Sequence, residues 1–123
     1  WRKELPLNVY LNDRVVPAAE ARVSVFDHGF LYGDGVYETL RVYESVPFLF
    51  DEHMDRLERS ADLVALSLPL DREAVRAALG ETLRANGLTD AAVRISVTRG
   101  PGALGIDPLL CERPTFVIFA EPR

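Results

Sequence analysis

Among the fourteen lysine and arginine residues of this 123-residue chain, Lys3 is the single lysine. Chemistry that needs a buried, desolvated lysine amine therefore has no candidate beyond a residue near a chain end, where order is hardest to keep. Cysteine is equally scarce. Cys111 stands alone, which excludes an internal disulfide and a zinc site built on paired thiolates. The two histidines, His28 and His53, show no metal-ligand spacing, so hydrogen bonding within the fold is the role expected of both. No apolar run approaches the ~20 residues needed to span a bilayer. The opening Trp-Arg-Lys-Glu-Leu-Pro lacks the basic-then-apolar plan of a secretory signal. The expected location is the reducing cytoplasm, away from any membrane. A net charge of −5 also argues against a broad grip on the nucleic-acid backbone.

What remains is an ordinary globular composition, 48% hydrophobic and 27% charged, at a length that fits one domain with a real core. Val9-Tyr10-Leu11 reads as a strand that turns at Asn12-Asp13 and returns through Arg14-Val15-Val16, with Pro17 closing it. Val23-Ser24-Val25 suggests a further short extended piece. The tight turn Gly33-Asp34-Gly35 releases a long strand from Val36 to Tyr43, which turns at Glu44-Ser45 and returns over Pro47 to Phe50. Asp51 is the expected N-cap of a helix reaching about Ala65, with Met54, Leu57, Ala61 and Val64 on its buried face. Asp71 opens a second helix with Val75, Ala78, Leu79 and Thr82 inward, and Asn86-Gly87 ends it. Ala91 to Thr98 alternates as a strand, Gly100 to Pro108 is an irregular loop, and Thr115 to Ala120 is the last strand. The pattern predicts an α+β fold, a largely antiparallel sheet packed with two consecutive helices.

Several side chains on this frame could carry chemistry. Arg56 sits near the start of a helix, beside its apolar stripe, where a planar guanidinium can offer two parallel N–H groups to phosphate oxygens. Alternation puts Tyr37, Thr39 and Arg41 on one strand face and Val36, Glu38 and Leu40 on the other. Tyr37 joins a flat ring to a phenol, as a pocket for a side chain and a carboxylate requires. Glu38 is either paired or solvent-facing, and carries no assigned role. Tyr32 lies in the glycine turn. Arg94, in a polar row with Ser96 and Thr98, faces either bulk water or a cleft, and in a cleft could hold a carboxylate or order the tyrosines. A concavity bordered by Tyr37 and Arg94 is therefore expected. Arg99 is better suited to anchoring the loop that follows it. That loop, Gly100 to Pro108, lacks the Lys-Ser/Thr ending of a phosphate cradle. Its Leu104 and Ile106 are apolar residues in need of a cover.

The block Asp27-His28-Gly29-Phe30-Leu31-Tyr32-Gly33-Asp34-Gly35-Val36-Tyr37-Glu38, followed by His53-x-x-Arg56-Leu57, resembles the class IV (fold type IV) aminotransferases, which use pyridoxal phosphate. The likeness runs in order from Val9 to about Ala120. It implies that residues 1–123 form the smaller N-terminal domain, and that the larger C-terminal domain with the cofactor-binding lysine is absent from this chain. No catalytic residue is then expected here, and the domain alone is expected to be inactive. The resemblance makes Arg56 the cofactor-phosphate ligand and Tyr37 a wall of the substrate pocket. It makes Tyr32, Leu104 and Ile106 contributions to a neighbouring subunit, which implies a homodimer or higher assembly.

Within the family, Leu104-Gly105-Ile106-Asp107-Pro108 is similar to the loop of branched-chain aminotransferases. The D-amino acid transaminases carry an arginine and a histidine near these positions, although their glycine block is close to this one. The implied reaction passes an amino group between an amino acid, of branched-chain type, and a 2-keto acid. An aminodeoxychorismate lyase or a D-amino acid transaminase is the alternative within the same chemistry. A non-catalytic interaction domain of the same shape is the alternative outside it.

Overall fold

The structure, a computed structural model, describes residues 8–123; Lys3 lies outside them. Strands β1 (Asn8–Leu11), β2 (Arg14–Pro17), β3 (Gly35–Tyr43), β4 (Val46–Pro47), β5 (Ala91–Thr98) and β6 (Thr115–Pro122) form one antiparallel sheet. Its spatial order is β2-β1-β6-β5-β3-β4. Helices α2 (Phe50–Leu63) and α3 (Arg72–Ala85) cover one face of it, α2 over β3 and α3 over β1 and β6. The α+β architecture expected from the alternating and helical periods is the one found.

Alternation settles which face is covered. Leu40, Val42, Val93, Ile95, Val97, Phe116 and Ile118 point under the helices and are buried. The helices answer with Met54, Leu57 and Ala61 from α2 and Val75, Ala78, Leu79 and Leu83 from α3. The opposite face has no helix over it among the described residues, and Tyr37, Thr39, Arg41, Arg94 and Phe119 stand exposed there. Asp71 caps α3 by accepting the Ala74 N–H at 2.8 Å, and Gly87 follows the helix with φ +63°, as the sequence suggested.

Four local expectations need correction. Helix α2 begins one residue before Asp51, at Phe50, with Leu49 as a left-handed N-cap and no side-chain cap. Burial of Phe50, whose ring also lies under the Arg76 guanidinium at 4.2 Å, decides that start over the capping preference of Asp51. Val64 is not on the buried face: α2 stops at Leu63, so the helical spacing ends before it. The return strand spans only Val46–Pro47, because Phe50 is already helical. Val23-Ser24-Val25 forms no strand.

A one-turn helix, α1 (His28–Tyr32), replaces the plain turn predicted around Tyr32. Asp27 caps it, accepting the Gly29 N–H at 2.8 Å through Oδ1 and the Thr115 hydroxyl at 2.6 Å through Oδ2. Gly33 ends it in the left-handed region, φ +68°, which a glycine adopts without strain. The segment after β5 lies against α1. His28 N–H donates to Gly100 C=O at 2.9 Å, and Gly102 N–H to Phe26 C=O at 3.1 Å. Gly100 has φ +93°, and a Cβ there would collide with the Arg113 carbonyl.

Ile118 lies at the centre of the sheet with no exposed surface and pairs across to both Tyr10 and Ile95. Ile118→Ala is expected to lower stability by about 2–5 kcal/mol. Urea unfolding checks this; an unchanged midpoint would place the core elsewhere.

Candidate functional site

Two neighbouring positions of β3 face opposite ways, and the candidate site is built on both. Glu38 points under α2 and is buried, at 5% exposure. A buried carboxylate is tolerated only where donors replace its water. Helix α2 supplies them. Arg56 donates from Nε to Oε2 and from Nη2 to Oε1, both at 2.9 Å, a bidentate fork. His53, three residues earlier on the same helix face, lies with Nδ1 2.7 Å from Oε1. Since a carboxylate oxygen accepts, that nitrogen carries the hydrogen.

Burial by itself would raise the Glu38 carboxyl above its ordinary range. The hydrogen bonds from Arg56 and His53, with the charge on Arg56, outweigh burial and hold it below that range. Arg56 itself is 61% exposed. It is tethered at its root by Glu38, leaving Nη1 and an exposed guanidinium edge for a further anion. This is the role the sequence left unassigned to Glu38. Alternation alone does not reveal it, because the pattern of apolar neighbours does not tell which partner arrives from a helix fifteen residues on.

Tyr37 faces the uncovered side. The Arg94 guanidinium stacks over its ring with 4.1 Å to the centroid, and Arg94 Nε donates to Ser96 Oγ at 3.1 Å. The pairing follows from register, since Tyr37 sits opposite Ser96 and Thr39 opposite Arg94. A planar cation on a phenol ring is a favourable contact and fixes both side chains. Beside them is a shallow groove of about 350 Å³, lined by Thr39, Ala92, Val93, Arg94, Phe119, Glu121 and Arg123. Arg94 borders this groove, but the groove is not the concavity expected between Arg94 and Tyr37. Tyr37 does not line the groove and instead covers Arg94.

Tyr32 and the loop after β5 form a third cluster. The Tyr32 hydroxyl accepts the Gly105 N–H at 2.7 Å, so the loop carrying Leu104 and Ile106 is held against α1. Both apolar side chains are exposed, at 68% and 79%. Arg99 is buried and plays the anchoring part anticipated for it. Its Nε and Nη2 donate to the Asp34 carboxylate at 2.9 and 3.1 Å, and it caps the α2 end through the Val64 and Ala65 carbonyls. Arg56 is thus separated by β3 from Tyr37 and Arg94, while Tyr32 joins Leu104 and Ile106.

Known proteins share this fold. The fold superposes on the branched-chain amino acid aminotransferase from Escherichia coli at TM-score 0.89 and 28% identity, covering 98% of this chain and 42% of that one. A Methanocaldococcus jannaschii protein provisionally named a branched-chain-amino-acid aminotransferase is 48% identical over 116 residues, 94% of this chain and 40% of the relative. Aminodeoxychorismate lyase of Bacillus subtilis is 36% identical over 115 residues, 92% of this chain and 39% of the relative. The sequence model of the class IV amino-transferases matches residues 35–123. The chain belongs to the class IV aminotransferases, a family of pyridoxal-phosphate enzymes, and spans about two fifths of the length of these relatives.

The Glu38 pair carries a pH signature. Its lowered carboxyl contributes stability that is complete above the ordinary glutamate value, 4.5, and is lost as pH falls through the lower folded value. Glu38→Gln is expected to melt below the wild type at pH 7, with the gap narrowing as pH falls below 4.5. Melting curves from pH 7 to 3 check this, and a gap constant with pH would remove the carboxylate from the account.

Proposed function

We propose that the complete polypeptide transfers an amino group between a branched-chain L-amino acid and a 2-keto acid, using pyridoxal 5′-phosphate. The observation that carries the substrate class is the Leu104–Ile106 loop. It is fixed in place by Tyr32, exposed, and contains no cation able to receive a substrate carboxylate. A D-amino acid carboxylate would meet two hydrocarbon side chains there, at an unrecovered desolvation cost.

The residues of this chain fit the cofactor's phosphate. Arg56 offers an exposed guanidinium edge whose direction Glu38 and His53 fix. Because Glu38 balances the Arg56 charge, this grip works through oriented donors more than through net charge. When bound, the cofactor supplies the electron sink that lets the α-bond of the amino acid break. Arg56 holds its phosphate end, and Arg94 and Tyr37 present a rigid cation and ring on the other side of β3. Arg94, with Nε on Ser96, keeps its amino groups for a substrate carboxylate. Leu104 and Ile106 shape the side-chain pocket of a neighbouring subunit, and Tyr32 holds them in place for it.

Their exposure supports a second copy of the chain as cover, in a homodimer or larger assembly. The proposed location is the cytoplasm, where a lone thiol such as Cys111 stays reduced. The likeness to the Bacillus subtilis lyase favours a second reading, in which an amine derived from chorismate loses pyruvate.

Two measurements on the complete polypeptide test these readings. Keto-acid-dependent turnover of L-leucine, with D-alanine inert, is the expected result; pyruvate released without a keto-acid acceptor would establish the lyase instead. Arg56→Ala is expected to weaken cofactor binding roughly ten- to hundred-fold by fluorescence titration. Unchanged affinity would remove Arg56 from the phosphate site.

A further inference from the structure

His28 is fully buried, yet polar. Its Nε2 lies 2.8 Å from the Ala103 carbonyl. A carbonyl accepts, so Nε2 carries the ring hydrogen, and Nδ1 is left as a bare lone pair with no partner among the described residues. An apolar side chain of similar size would fill this space without burying an unsatisfied nitrogen. Packing alone therefore gives no reason for a histidine here, whereas the contact at Nε2 does.

One helical turn on, Tyr32 stands edge-on to the His28 ring at 5.0 Å and accepts the Gly105 N–H. The two side chains, at i and i+4 of α1, thus grip the backbone on either side of Leu104. Helix α1 is itself immobilised, through Asp27 on Thr115 of β6 and through the His28 N–H on Gly100. The loop is held to the sheet by this route, and its apolar side chains face outward as a consequence.

We infer that His28 is a positioning residue for the 103–106 loop: through its Nε2–H and the adjoining Tyr32 it fixes where Leu104 and Ile106 stand, and so how tightly a branched substrate side chain is held. The inference rests on the pocket role proposed above for those two residues. His28 touches neither substrate nor cofactor in this scheme and acts only through the loop. Glutamine can place an amide N–H where Nε2 stands; leucine fills the volume and donates nothing.

The experiment compares His28→Gln and His28→Leu in the complete polypeptide, with two readouts. By hydrogen exchange of the peptide spanning Ala103–Ile106, His28→Leu is expected to exchange about tenfold faster than wild type, and His28→Gln within about twofold of it. In steady-state assays His28→Leu is expected to raise KM for L-leucine about tenfold with kcat within about twofold, and His28→Gln to restore KM. Should His28→Leu fail to fold, Tyr32→Phe removes the second grip, and the same rise in loop exchange is expected from it. Exchange unchanged in His28→Leu, or Gln behaving as Leu, overturns the inference, as does a loosened loop with an unaltered leucine KM. The exchange arm needs no turnover. Fast exchange with leucine and slow exchange with glutamine at position 28 upholds the latch even where L-leucine proves not to be a substrate, a result that overturns the proposed activity alone.

Discussion

The candidate site depends on a carboxylate placed under a helix. Glu38 is buried on the covered face of the sheet, where an unpaired charge would be costly. Arg56 and His53 meet that requirement from α2, and in doing so lose their freedom to point elsewhere. The same contact fastens α2 to β3 at the end of the strand where Tyr37 emerges on the other side. A stability requirement and a binding geometry are satisfied by one set of hydrogen bonds.

Strand β3 therefore acts as a divider. Its two-residue period sends Tyr37 to the open face, where register with β5 delivers Arg94 onto the ring. It sends Glu38 to the closed face, where α2 delivers a guanidinium. In the proposed enzyme the phosphate grip and the substrate wall belong to opposite sides of a single strand. Neither can shift without moving the other. The Arg99–Asp34 pair braces the turn at the start of β3 against the end of α2, so both ends of that helix are tied to this strand or to the turn before it.

Much of this is legible in the sequence wherever local pattern and tertiary environment agree. The alternation of Ala91–Thr98 and the Asp71 cap of α3 are read correctly because short-range preferences suffice there. The family resemblance directs attention to Arg56, and the structure shows how it is held. What the sequence conceals depends on distant partners. Helix α1 has five residues, one of them glycine, too few for a periodic signal, and exists through Asp27 and the neighbouring Gly100 segment. Leu49 adopts a left-handed conformation that its side chain disfavours, because burying Phe50 outweighs the local preference. Glu38 acquires its meaning only when a helix folds back across it. Leu104 and Ile106 read as exposed from their loop alone, but nothing local announces that Tyr32 and His28 hold that loop.

The sheet's two outer strands both contain a proline, Pro17 in β2 and Pro47 in β4. Proline lacks an N–H, so neither rim offers an unbroken ladder of donors to a passing extended chain. The rims are also short, four residues on one side and two on the other. Recruitment strand by strand, the usual route from an open sheet to a fibre, is discouraged at both margins.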